Sequence, residues 1–209
     1  FAPDTRMQKI LKDAAAIGNA TARSLVFRPR DPAVYFYPDR RWYTSFIGGH
    51  DFMDNGEMKI DGRSIFHYVA TGITPAMSVP KVGTGSAYAF TPHDADGNYL
   101  DGGKTYKVTL PAPIPVNNFW SFMVYSGQHR SMLETDQKEA GLDSNSPTIK
   151  QNDDKSYTVW FGPKAPKGHK DNWIQTIPGK SYNVLLRLYG PLEPWFDKTW
   201  KPGDLELVE

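Results

Sequence analysis

The sequence Thr105-Tyr-Lys-Val-Thr-Leu110 decides the fold, because apolar and polar residues alternate along it without interruption. Its even-numbered residues are apolar or aromatic, whereas its odd-numbered residues are Thr or Lys. Successive side chains of a β-strand point to opposite faces of a sheet. The pattern therefore predicts a strand with one face buried and the other in contact with water, which is typical of antiparallel sheets.

Four further runs downstream of residue 85 have the composition of strands, being rich in β-branched and aromatic residues and bounded by Gly, Pro, Asn or Asp. With the first run, the predicted strands are 86–91, 104–110, 119–125, 156–161 and 182–189. Too few of the segments between them are long enough for the helical crossovers of a parallel sheet. We therefore predict a mainly β protein, an antiparallel jelly-roll-like β-sandwich.

An N-terminal helical arm and one further short helix precede the strands. Asp4 can cap a helix whose apolar residues recur at helical spacing and which we expect to stop at Gly18-Asn19; they are Met7, Ile10, Leu11, Ala14 and Ile17. Residues 28–41 contain three prolines and are predicted to be an extended surface linker. A second helix, capped by Asp61 or Ser64, should end near Thr74-Pro75. These features predict an arm and linker over 1–38 and a jelly-roll-like domain over 39–209.

Composition excludes several functional classes. The 24 Lys and Arg residues are balanced by 23 Asp and Glu residues, so the net charge of +1 gives no field that attracts nucleic acid. No apolar run reaches the roughly 18 residues of a membrane span, so we expect a soluble chain. Cysteine is absent, which excludes disulfides and thiolate chemistry. The chain opens with Phe1, which is consistent with a processed or trimmed sequence.

Three motifs suggest ligand sites but have simpler interpretations. Gly103-Lys104-Thr105 and Gly179-Lys180-Ser181 suggest phosphate loops, yet each Lys precedes a strand, not a helix. The acidic run 94–98 suggests a calcium loop, but its glycine spacing fits a hairpin turn instead. The five histidines are scattered along the chain without a close pair. We therefore predict no metal site and no cofactor.

The densest group of reactive side chains follows a very apolar predicted strand. His129, Arg130, Glu134 and Asp136 are candidate catalytic residues, because neighbouring charges can move the pKa values of acid and base groups toward neutrality. Tyr43 or Tyr125 could assist them. The alternative is a solvated loop in which Arg130 pairs with Glu134.

Seven phrases resemble the C-terminal half of a bacterial protein family that is assembled from the domains of unknown function numbered 1254 and 1214. They extend over nearly everything after residue 39: Asp39-Arg-Arg-Trp-Tyr43, Ala70-Thr-Gly-Ile-Thr-Pro-Ala76, Asp101-Gly-Gly-Lys-Thr-Tyr106, Asn118-Phe-Trp-Ser121, Phe161-Gly-Pro-Lys-Ala-Pro166, Asn172-Trp-Ile-Gln-Thr176 and Leu186-Arg-Leu-Tyr-Gly-Pro-Leu-Glu-Pro-Trp-Phe-Asp197. The resemblance implies a jelly-roll-like C-terminal domain, often in exported and thus periplasmic or secreted proteins. It also implies an N-terminal partner domain, but no reaction that can be assigned to particular residues.

The leading functional hypothesis is a non-catalytic module that binds a small polar or carbohydrate-like ligand, or that docks its partner domain. Aromatic and Arg-bearing segments would form the site, since exposed tryptophans provide stacking surfaces for sugars. The candidate ligand-binding residues are Tyr43, Tyr125, Trp173, Arg187 and Trp195. The alternatives are a hydrolase or lyase that uses the cluster around His129, and a purely structural domain. A pocket that holds Tyr125, Arg130 and Glu134 together would favour the enzyme.

Overall fold

The computed structural model describes residues 2–70 and 72–208 and is mainly β. Its helices are α1 (Thr5–Phe27), α2 (Ile60–Val69), α3 (Pro75–Ser78) and α4 (Glu193–Phe196), with 3-10 turns at Pro32–Val34 and Lys170–Asn172. Its strands are β1 (Met53–Asp54), β2 (Glu57–Met58), β3 (Ser86–Thr91), β4 (Thr105–Leu110), β5 (Trp120–Ser126), β6 (Gly141–Asp143), β7 (Tyr157–Gly162), β8 (Trp173–Gln175), β9 (Tyr182–Tyr189) and β10 (Glu206–Val208). All five predicted strands are present, with ends that differ by at most one residue.

Two four-stranded sheets form the body of the protein. The first sheet has the strand order β10-β4-β7-β8 and the second has the order β3-β9-β5-β6. All neighbouring strands are antiparallel except β7 and β8, which run parallel. The prediction of a mainly β, sandwich-like fold with a helical arm is confirmed.

The main core lies between the two sheets and contains buried side chains from strands β3, β4, β5, β7, β8 and β9. On β4 the side chains of Tyr106, Val108 and Leu110 are all buried, as their alternation with polar residues predicts. Contact across the sandwich is direct, since the ring centroids of Phe122 on β5 and Phe161 on β7 are 5.7 Å apart. Burial of so much aromatic and aliphatic surface is the main source of stability of such a fold.

Helices cover the outer face of the second sheet and create a second, smaller core. It contains Leu25 and Val26 of α1, Ile65 and Phe66 of α2, and Phe90 of β3. Our prediction that the first helix stops at Gly18-Asn19 is wrong. A glycine inside a helix costs only about 1 kcal/mol, and burial of the residues at the end of α1 outweighs that cost. The second helix ends at Val69, earlier than predicted, and Thr74-Pro75 begins the separate short helix α3.

The N-terminal half of α1 projects beyond this second core. Its apolar residues Ile10, Leu11 and Ile17 are exposed. The predicted amphipathic helix is therefore present, but this part of its apolar face does not pack against the rest of the protein. No helix in residues 2–70 and 72–208 combines the length and the hydropathy that crossing a membrane requires.

The linker packs more closely than an extended surface segment would. Tyr37 is fully buried, and its hydroxyl donates a hydrogen bond to the carbonyl oxygen of Trp200 at 2.9 Å. The Nζ atom of Lys198 lies 4.6 Å from the ring centroid of Phe36 and 4.9 Å from that of Trp195. The segment 195–200 therefore has a packing role, since cation–π contacts and aromatic burial attach the linker to the sandwich.

The acidic run 94–98 forms a turn. Gly97 has a φ of +84°, a left-handed conformation that glycine adopts without steric cost. The backbone N–H of Asn98 donates a hydrogen bond to Oδ1 of Asp94 at 2.8 Å, which closes the turn. Within the described ranges, no three His, Asp or Glu side chains come together in a way that could hold a metal ion.

His93 should make the stability of the protein depend on pH. The imidazole is buried, and burial, with a smaller contribution from Arg41, lowers its pKa from 6.5 to about 4. Below pH 6.5 the unfolded chain therefore binds a proton that the folded chain does not bind. We expect the free energy of unfolding to fall as the pH drops from 6.5 toward 4.

The measurement compares chemical unfolding of wild type and His93→Gln across this pH range. The stability advantage of wild type over the variant should shrink as the pH falls, because the variant lacks the titrating group. His67→Gln is the control, since His67 is exposed on α2. A stability difference between wild type and His93→Gln that stays constant with pH would show that the His93 pKa is not lowered.

Candidate functional site

A pocket of about 310 Å³ lies between the outer face of the second sheet and the helical layer. It is larger than the roughly 150 Å³ cavity that accommodates one benzene molecule. Most of its lining is aromatic or aliphatic. The lining residues are Phe27, Tyr43, Ser45, Phe46, Phe66, Tyr68, Val69, Ala70, Met77, Tyr88, Phe90, Tyr125, Arg130, Asn183, Leu185 and Arg187.

The floor of the pocket follows from the period-two geometry of three adjacent strands. On β9 the residues with odd numbers face outward, because Val184 and Leu186 fill the main core. The strand register places Tyr88 of β3 next to Arg187 and Tyr125 of β5 next to Asn183. Three strands thus bring two phenols, a guanidinium and an amide to one surface.

The walls are held in place by the end of α1 and by the segment that follows the linker. The hydroxyl of Tyr43 donates a hydrogen bond to the carbonyl oxygen of Val26. Burial raises the pKa of Tyr43 well above its usual range, so the phenol stays protonated and keeps donating. Tyr43 therefore attaches α1 to the sheet and closes one side of the pocket.

Arg187 provides a half-buried positive charge on the floor. Its NH2 atom donates a hydrogen bond of 2.7 Å to the hydroxyl of Tyr125, and its Nε is buried without a partner among the described residues. Burial lowers the pKa of Arg187, but the phenol oxygens of Tyr125 and Tyr189 outweigh burial and leave that pKa above its ordinary value. The guanidinium is therefore charged.

Arg130 provides a second positive charge at the rim. It has a φ of 65°, which is uncommon for a residue with a side chain. Its NH1 atom donates a hydrogen bond of 2.9 Å to the carbonyl oxygen of Tyr68, and its guanidinium lies 4.8 Å from the centroid of the Tyr68 ring. The turn that follows β5 thus places Arg130 against α2 at the mouth of the pocket.

Among the residues that the structure describes, no acidic side chain balances these two charges. The described lining contains neither Asp nor Glu nor His. Within residues 2–70 and 72–208, neither Arg130 nor Arg187 takes part in a salt bridge. The Arg187 charge is partly removed from water and is not paired with a carboxylate among the described residues, which favours binding of an anion.

The predicted catalytic residues do not meet in this pocket. Of the four, only Arg130 lines it. His129 and Glu134 are exposed, and Arg130 binds Tyr68, not Glu134. The carboxylate of Asp136 instead accepts a hydrogen bond of 3.2 Å from the side-chain amide of Gln175, at the edge of the first sheet.

Three of the five predicted ligand-binding residues line the pocket, namely Tyr43, Tyr125 and Arg187. Trp173 lies on β8 of the first sheet, where its Nε1 donates to the carbonyl oxygen of Gly162 at 2.9 Å. Trp195 is 2% exposed and belongs to the main core.

Sequence reasoning missed Tyr88, Asn183 and the aromatic side chains of α2. The available signal was the position of an Arg and an Asn inside the otherwise apolar strand β9.

The sequence matches the model of one protein family. Residues 85–193, just over half of the chain, match the model of a family described as "Protein of unknown function (DUF1214)". The chain belongs to this family. The four polar residues on the floor of the pocket, Tyr88, Tyr125, Asn183 and Arg187, all lie within the matched residues. The helices α1 and α2 lie outside the matched residues.

Two solved structures resemble the whole chain at low sequence identity. The VPA0106 protein from Vibrio parahaemolyticus has a TM-score of 0.55 and 21% identity over 100% of this chain and 47% of its own. An uncharacterized protein from Burkholderia cenocepacia has a TM-score of 0.40 and 17% identity over 97% of this chain and 51% of its own. The chain thus spans about half the length of these proteins. No curated protein matches the sequence.

Proposed function

We propose that the protein binds a small organic anion with an apolar body, and that Arg187 holds the anionic group. The observation that carries this proposal is the pair of guanidiniums, Arg130 and Arg187, in an apolar pocket whose lining has no acidic residue. A carboxylate is the simplest group that fits, since Arg presents planar donors that match carboxylate geometry.

Electrostatics supports an anion over a cation or a neutral molecule. A ligand carboxylate would receive charge-assisted hydrogen bonds, which contribute about 1.5–3 kcal/mol each. Arg187 is half-buried, so an ion pair there is less screened by water and salt than one at the surface. A ligand with a positive charge would instead be repelled by both guanidiniums.

The lining supports a ligand with an aromatic or aliphatic body. Phe90 and Leu185 form an apolar strip on the floor, and Phe46 and Phe66 form part of the opposite wall. Apolar contact contributes about 25 cal/mol for each Å² removed from water. Inorganic anions such as phosphate would leave these surfaces uncovered, so an organic anion fits better.

The other predicted functions have less support in the pocket. A hydrolase or lyase that uses the cluster around His129 would need those side chains in the pocket, and the described lining holds only Arg130 of the four. Sugar stacking on Trp195 is prevented by its burial in the core. Docking to a partner domain through aromatic and Arg-bearing segments stays a prediction.

The test measures affinity by calorimetry for three probes that share a naphthalene ring: naphthoate, naphthamide and naphthylmethylamine. They carry a negative charge, no charge and a positive charge on the same apolar body. We expect naphthoate to bind at least about 10-fold more tightly than naphthamide, which corresponds to about 1.4 kcal/mol. Naphthylmethylamine should bind most weakly. Equal affinities for naphthoate and naphthamide would overturn the proposal.

A further inference from the structure

Asn183 is a buried residue whose side-chain amide is open to the pocket and has no hydrogen-bond partner among the described residues. Its residue is 5% exposed and its side chain lines the pocket. It makes no side-chain hydrogen bond to any residue in the ranges 2–70 and 72–208, although its neighbour Tyr125 bonds Arg187. Buried side-chain amides nearly always have hydrogen-bond partners in folded proteins. The amide therefore has bonding capacity that a ligand can satisfy.

The chemistry of this group defines what it can bind. A side-chain amide has one carbonyl acceptor and two N–H donors. It can pair with a hydroxyl, which also donates and accepts, or with a carbonyl oxygen. It cannot neutralise a charge, so its role differs from that of Arg187.

The position of Asn183 separates it from the anion site. Asn183 and Arg187 project from the same face of β9, and Leu185 lies between them on that face. Phe90 is the partner of Leu185 in the strand register. An apolar strip thus separates the guanidinium of Arg187 from the amide of Asn183 on the floor of the pocket. A ligand that satisfies both groups has polar groups at two places on an apolar body.

We propose that Asn183 selects ligands that carry a hydroxyl or carbonyl group in addition to the anionic group, such as a hydroxylated or oxo-substituted aromatic carboxylate. This inference rests on the proposed function and adds a specificity-determining residue to it. A site that is built to hydrogen-bond a ligand group discriminates strongly against analogues that lack it, because its own polar group then stays unpaired.

The experiment compares naphthoate with hydroxynaphthoates that carry the hydroxyl at different positions of the second ring. We expect at least one isomer to bind wild type roughly 10-fold or more tightly than naphthoate. Asn183→Leu keeps the volume of the side chain and removes its polar atoms. The variant should lose this preference and should bind unsubstituted naphthoate at least as tightly as wild type does.

Two further variants keep the test interpretable. Asn183→Ala removes the amide with a smaller side chain, in case Leu at this position disturbs folding. Asn118→Leu is the matched control, since Asn118 is exposed and does not line the pocket, and it should keep the wild-type preference.

Three results would overturn one or both proposals. If wild type binds naphthoate more tightly than naphthamide but binds every hydroxynaphthoate no better, the role of Asn183 fails while the anion site stands. If wild type prefers one hydroxynaphthoate isomer and both Asn183→Leu and Asn183→Ala keep that preference, the role of Asn183 also fails while the anion site stands. If wild type does not prefer naphthoate over naphthamide, the proposed function itself fails, and the role of Asn183 fails with it.

Discussion

Replacement of Arg187 with Met should weaken naphthoate binding by about 10- to 100-fold. The variant keeps an apolar side chain of similar length but loses the charge and its hydrogen bonds. Hydrogen bonds to charged groups contribute about 1.5–3 kcal/mol, and each 1.4 kcal/mol corresponds to a factor of ten. Affinity for the neutral probe naphthamide should fall by a smaller factor, because its carbonyl oxygen can accept a hydrogen bond from Arg187 but carries no charge for an ion pair. Calorimetric titration of both probes measures the two effects.

Two variants provide controls for Arg187→Met. Arg130→Met removes the charge at the rim, and its effect should be several-fold smaller, because Arg130 is exposed and its charge is screened. Arg63→Met removes an equal charge from the exposed face of α2, outside the pocket lining, and should leave affinity unchanged. If Arg187→Met binds naphthoate as tightly as wild type does, Arg187 does not hold the anionic group.

Among single replacements of Gly by Ala, we expect Gly102→Ala to cause the largest loss of stability. A Cβ at this position would overlap the carbonyl oxygen of Ile177 and would lie 2.8 Å from that of Lys180. The backbone cannot move aside easily, since the N–H of Gly102 donates to Lys180 and its carbonyl accepts from Thr176. Overpacking typically costs 1–3 kcal/mol and occasionally more, and we expect about 3 kcal/mol.

The neighbouring glycine is a matched control for this prediction. At Gly103 an added Cβ would lie 3.3 Å from a side-chain oxygen of Asp101 and 3.8 Å or more from its other neighbours. Gly103→Ala should therefore change stability by less than about 1 kcal/mol. Thermal unfolding of both variants measures the difference, and about 3 kcal/mol corresponds to a drop in Tm of roughly 6–12 °C. Equal Tm values for the two variants would contradict the packing argument.

The strands could be predicted from the sequence because their signal is local. The alternation of apolar and polar residues along β4 indicates a half-buried strand, whichever strands pair with it. For β9, the β-branched and aromatic composition alone predicts a strand. The end of α1 could not be predicted, because Gly18 is a local signal for a stop. Burial of Leu25 and Val26 against α2, which depends on distant residues, outweighs that signal.

The candidate site was less predictable, because it depends on which strands become neighbours. Arg187 and Tyr125 are 62 residues apart in sequence, and only the pairing of β5 with β9 brings them into hydrogen-bond contact. The cluster around His129 is dense in sequence, but the turn after β5 spreads its side chains over the surface. Trp195 is buried in the main core, and Trp173 is half-buried on β8, where its indole N–H donates a hydrogen bond to the carbonyl oxygen of Gly162.

A crystal structure of the protein with bound naphthoate tests the central claim most directly. The account predicts that the naphthalene ring lies against Leu185 and Phe90, and that the carboxylate accepts a hydrogen bond from the Arg187 guanidinium at about 2.7–2.9 Å. Naphthoate bound elsewhere, or bound in the pocket with its carboxylate directed away from Arg187, would contradict it.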